Sequence, residues 1–96
     1  MSKYTLRLYI IGDTPVTRRA VDNLKALCKE PEVAAAYNFE VINLIENPTL
    51  AEEERILATP VLIKKLPEPM RRIIGDLSDR ERILVGLDLY ERGEEG

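Results

Sequence analysis

At 96 residues, with 45% hydrophobic and 32% charged side chains, the chain has the composition of one folded domain over residues 1–96 and not of a disordered segment. A formal charge of −3 argues against a general nucleic-acid binder, and with no histidine and a single cysteine, Cys28, neither a disulfide framework nor a His/Cys zinc site can be assembled. The N-terminal MSKYTLRLYIIGD lacks a signal-peptide core and no run approaches the roughly 18 apolar residues of a membrane span, so the expected setting is the cytoplasm.

TLRLYII (5–11) is rich in β-branched and aromatic residues and reads as a strand, punctuated by Gly12 and Asp13. Thr14 is placed to cap a helix with Pro15 at its first position, and Ala20, Val21, Leu24, Leu27 and Cys28 recur at helical spacing up to Pro31. After a connection of small residues, YNFEVINLI (37–45) reads as a second, parallel strand, which completes a βαβ unit. Asn47-Pro48 repeats the cap-plus-proline signal, and the acidic run Glu52 to Glu54 suits the positive end of a short helix reaching about Leu57. Thr59-Pro60 ends it. VLIKKL (61–66) and MRRIIG (70–75) are expected to pair antiparallel across the proline-containing turn. Ser78 and Glu81 have the spacing of a capping box, and a last helix carrying Ile83, Leu84, Leu87 and Tyr90 inward would run to Gly93, before a polar tail over 91–96.

The order βαβαββα is that of thioredoxin, with Thr59-Pro60 where that fold places a cis-proline. The redox chemistry is absent, because GDTPVT occupies the start of the first helix, where a thioredoxin needs two thiols beside the helix dipole. Cys28 falls on the apolar face near the helix's other end and reads as a packed core residue. Adjacent helix residues point about 100° apart, so Glu52, Glu53 and Glu54 do not converge on one metal, and neither nucleotide-binding glycine pattern occurs. Without a histidine base there is no nucleophile motif either, and no enzyme activity and no cofactor are expected. Between Val61 and Ile74 stand four bases, Lys64, Lys65, Arg71 and Arg72, against one acid, Glu68. That concentration reads either as charge protecting a sheet edge or as a docking surface for an acidic partner.

LRLYIIGDTP (6–15), ENPTLAEEERILATPVL (46–62) and LPEPMRRIIGDLSDRERILVGLDLY (66–90) resemble the KaiB family of circadian clock proteins over nearly the whole chain. The resemblance implies a non-enzymatic clock component that binds the phosphorylated KaiC ATPase ring and helps sequester KaiA or regulate output kinases; a timing or stress adaptor for a KaiC homologue in a system lacking KaiA is the alternative. It also implies two folds for one sequence. Residues 1–47 would be a shared βαβ half and 48–90 a half that is rebuilt, from βαββααβ in a free homotetramer, the form expected in crystals, to βαβαββα in the partner-bound monomer. By matching position, the resemblance puts partner-facing charge on Arg7, Arg19, Arg55, Lys64 and Arg72. It puts bias between the two folds on Tyr4, Gly86 and Asp88, to which Pro60, Pro67 and Pro69 add X-Pro bonds with two accessible isomers. Two positions depart from the family pattern: FEVIN has Glu40 where the family carries lysine and Asn43 where it carries aspartate.

Overall fold

The computed structural model describes residues 3–89, so the expected burial of Tyr90, the helix end at Gly93 and the tail over 91–96 lie outside the described residues. The elements are β1 (Tyr4–Ile10), α1 (Pro15–Leu27), α2 (Pro31–Ala36), β2 (Tyr37–Asn43), α3 (Thr49–Glu53), β3 (Val61–Lys64), β4 (Arg71–Ile74) and α4 (Arg80–Gly86). They form a four-stranded sheet in the order β2-β1-β3-β4, with β2 parallel to β1 and both other pairings antiparallel. This is the βαβαββα thioredoxin-like arrangement, with α2 as an added turn of helix, and Thr59-Pro60 is cis.

Period-two alternation divides the sheet into two faces. Leu6, Leu8, Ile10, Leu62 and Ile73 point to the face covered by α1, α2 and α4, through Ala20, Leu24, Val33, Ile83 and Leu84. Tyr9, Val61 and Ile63 point to the other face, where Leu50 and Ala51 of α3 and the following Ile56 close a smaller cluster. Thr14 caps α1 as expected, its hydroxyl accepting from the Thr17 N–H at 3.1 Å.

Several ends differ from the sequence reading. The connection after α1 is helical over Pro31–Ala36, with Pro31 at its first turn and Val33 buried. Asn47 does not cap α3; its amide donates to the Asn43 carbonyl at 3.1 Å, and Pro48 takes the cap position without a side-chain bond. α3 stops at Glu53 and not near Leu57 because Arg55 turns left-handed (φ 55°). The Arg55 and Ile56 N–H groups then bond back to the Glu52 and Ala51 carbonyls, the pattern that closes a helix C-terminus. The same pattern ends α4 at Gly86, with Asp88 left-handed (φ 56°) and the Asp88 and Leu89 N–H groups on Val85 and Leu84. Ser78 is not the cap of α4. Its N–H is taken by the Asp76 carboxylate at 3.1 Å, and Asp79 caps instead, accepting from Arg82 N–H at 3.1 Å.

Candidate partner-binding surface

The register sorts the basic residues. Arg7 pairs with Ile63, and Ile63 with Arg72, so Arg7 and Arg72 stand in one row across the sheet on the α3 face, where Arg55 also lies at the end of α3. Lys64 pairs with Leu6 and so belongs to the opposite face, as does Arg19 on α1. Three of the five expected positions therefore share a face and two do not.

Their surroundings differ as much as their positions. Arg55 is exposed, presented by a left-handed turn that an arginine adopts at a cost. Arg19 is exposed and lies 3.4 Å from the Asp76 carboxylate, whose own pKa is held down by hydrogen bonds from Ser78 and then by Arg19. Arg7 is partly exposed, and its Nε lies 3.6 Å from Glu40 on β2. Glu40, the first departure from the family pattern, thus offsets the charge of Arg7 across the parallel pair. The second departure, Asn43, supports the turn after β1: its Oδ1 accepts from Gly12 N–H at 3.2 Å and from Ile45 N–H at 3.0 Å, and Gly12 sits at φ 67°, a conformation glycine adopts without strain.

Arg72 and Lys64 are turned inward. The Arg72 guanidinium donates to the carbonyls of Glu54 (2.6 Å) and Arg55 (3.0 Å), and so caps the C-terminus of α3 from the neighbouring sheet. Lys64 is 1% exposed. It was expected on the partner-facing surface; in this fold its ammonium donates to the Pro67 carbonyl at 2.7 Å and the Pro69 carbonyl at 3.3 Å, within the turn that joins β3 to β4. Lys65, its neighbour, is the exposed member of the pair and bridges Glu54 at 2.8 Å.

The residues expected to bias the fold lie at joins. Tyr4 is half exposed, with its ring 6.1 Å from that of Tyr37. Burial, followed by the Asp88 carboxylate, pushes the Tyr37 hydroxyl pKa up. Pro60 is buried, and its carbonyl accepts from Gly75 N–H at 2.9 Å; Pro67 and Pro69 are exposed, and both follow cis bonds. Gly86 packs on β4: a Cβ there would stand 2.5 Å from Ile73 Cδ1.

Two features escaped the sequence reading. Arg80 grips Glu30 with two hydrogen bonds of 2.6 and 2.7 Å, joining α4 to the start of α2 and lowering the Glu30 pKa; such long-range pairs leave no mark in local sequence. Tyr9 is fully buried, and its hydroxyl is, among the described residues, a buried side-chain polar atom with no partner. Cys28 packs half-buried against the main core as expected, and burial raises its pKa to about 11. Among the described residues no cluster of His, Cys, Asp or Glu could hold a metal, and no helix is long and apolar enough to cross a membrane.

A mixed sheet between helices and no dithiol at the first helix define a thioredoxin-like domain without thioredoxin's redox centre. The chain belongs to the KaiB family: the sequence model of the KaiB domain matches residues 7–89. It is 55% identical over 89 residues to the circadian clock oscillator protein KaiB of Microcystis aeruginosa, covering 92% of this chain and 85% of that protein. It is 54% identical over 94 residues to the circadian clock oscillator protein KaiB of Nostoc punctiforme, covering 97% and 89%. These relatives are circadian clock oscillator proteins. Among solved structures, the N-terminal domain of Synechococcus elongatus SasA superposes with a TM-score of 0.72 at 26% identity, over 95% of this chain and 89% of that one. The thioredoxin Deadhead of Drosophila melanogaster gives 0.68 at 10% identity, over 86% and 76%, a likeness of fold alone.

Proposed function

We propose that this chain is a non-enzymatic circadian clock component that binds the phosphorylated ATPase ring of a KaiC-type protein and, once bound, helps sequester KaiA or regulate output kinases. The observation that carries the reading is the near-full-length match to clock oscillator proteins. Arg7, Arg19 and Arg55 are the direct contacts of this proposal, since they carry charge at the surface; Lys64 and Arg72 serve it indirectly, by holding the elements that present those contacts. Residues 1–47 are the constant half. Residues 48–90 are the half that is rebuilt between a free cytoplasmic homotetramer and the bound monomer, with Tyr4, Pro60, Pro67, Pro69, Gly86 and Asp88 biasing the exchange.

Glu40 favours a second reading, in which the chain serves a KaiC homologue in a system lacking KaiA. A carboxylate 3.6 Å from Arg7 changes the charge that β2 presents beside the contact surface. Titrating the chain against the host's KaiC-like ATPase in phosphorylated and unphosphorylated forms tests the main reading. Tighter binding to the phosphorylated ring supports it, and equal or absent binding to both overturns it. Adding KaiA separates the two readings, because only the first expects KaiA to join the complex.

A further inference from the structure

The α3 face of the sheet carries a cavity of about 280 Å³ beside the β3–β4 turn, lined by three cationic side chains as well as apolar ones. Tyr9 and Ile63 form its floor, Leu66 one wall, and Lys3, Arg7 and Lys65 stand around it. The Tyr9 hydroxyl is buried and has no hydrogen-bond partner among the described residues. Native proteins rarely leave such a donor unmatched, because it lost water on burial and recovers nothing in exchange. Among the described residues Arg7 is held by one surface ion pair, to Glu40, and its side chain is 42% exposed, so it can swing aside without breaking a buried contact; Lys65, 47% exposed, stays bridged to Glu54, whose own side chain is only 15% exposed.

We propose that this cavity receives an aspartate or glutamate side chain from the partner protein. The carboxylate would accept from the Tyr9 hydroxyl and lie among the ammonium and guanidinium groups of Lys3, Lys65 and Arg7, with its aliphatic stem against Ile63 and Leu66. A singly charged group on an apolar stem suits apolar walls with one buried donor, whereas a phosphate would bring more acceptors and charge than one hydroxyl can satisfy. The cations supply attraction and the phenol supplies geometry. The inference rests on the proposed function only for the identity of the partner.

The test substitutes Tyr9→Phe, which keeps the ring and removes the unmatched donor. Its thermal midpoint should equal or exceed that of wild type, because no hydrogen bond is lost in the free protein. Its affinity for the phosphorylated KaiC-like ATPase should fall by about tenfold to a hundredfold, the worth of a hydrogen bond to a charged group. Equal affinity of both proteins overturns the carboxylate site while the clock reading stands. If wild type fails to bind the ring, the clock reading falls, and a second arm decides the cavity. In it, sodium acetate and inorganic phosphate are titrated at matched ionic strength while the Tyr9 ring resonances are followed. Acetate should shift them in a saturable way; no shift, or a shift with phosphate alone, overturns the proposal.

Discussion

The Lys64 ammonium and the Pro67 carbonyl lie 2.7 Å apart, so a strand residue holds the turn that leads to the next strand. With the Pro69 carbonyl also bound and the side chain 1% exposed, Lys64 acts inside the fold and not at its surface. Lys64→Met keeps the stem's volume and removes the donor, leaving two carbonyls to find water. We expect a loss of about 1–3 kcal/mol in urea unfolding, with faster amide exchange confined to the β3–β4 turn. Unchanged stability would show that the contacts are incidental.

Arg72 binds two consecutive carbonyls, those of Glu54 and Arg55, through the two terminal nitrogens of its planar fork. Arg72→Ala should cost about 1–2 kcal/mol, and Arg72→Lys should recover less than half of that, because an ammonium cannot reproduce the paired geometry. Urea midpoints of the three proteins check the order. Full rescue by lysine would mean that charge and not the fork matters.

Arg55 separates folding from recognition. Its left-handed backbone is one that glycine adopts without strain, so Arg55→Gly should raise stability by about 0.5–1 kcal/mol after allowing for glycine's greater freedom in the unfolded chain. The same change removes an exposed guanidinium and should weaken partner binding. A rise in thermal midpoint together with a fall in affinity is the expected pair of results; a fall in both contradicts the assignment of strain to this residue.

Cys28 should be inert. With its pKa raised to about 11 by burial, on the order of one molecule in ten thousand carries the thiolate at pH 7, so alkylation should run about a hundredfold slower than for a thiol at the ordinary value of 9.0. The pH dependence follows the same shift. The unfolded chain loses this proton first, so the contribution of Cys28 to stability is whole below pH 9 and declines as pH rises toward 11. Rapid labelling of the folded protein at pH 7 would contradict the burial.

The β1–α1–β2 half was legible because alternation, the Thr14 cap and Pro15 agree with the tertiary packing. The helix ends were not, because the residues that turn left-handed are Arg55 and Asp88, where sequence reading looks for glycine. Asn47 and Ser78 misled for a related reason: short polar residues bond backbone as readily in a loop as at a helix start, and only the chain's path decides which. Asp88 was expected inside the last helix; it stands just beyond α4, so arginine there would inherit a left-handed backbone as well as a favourable dipole. The inward turn of Lys64 had a local signal. Successive strand residues face opposite ways, so in a strand covered on both sides one lysine of the Lys64-Lys65 pair had to meet the interior. The unmatched Tyr9 hydroxyl had none.

Exposed arginines on a thioredoxin-like scaffold are proposed to bind a phosphorylated KaiC-type ring. The most direct measurement compares the affinity of wild type with that of Arg7→Glu/Arg55→Glu for that ring, at low and at raised salt, after amide exchange has shown the same protected strands in both proteins. Wild type should bind at least about tenfold more tightly than the variant at low salt, and raised salt should narrow the difference. Equal affinity of the two correctly folded proteins, at either salt, would contradict it.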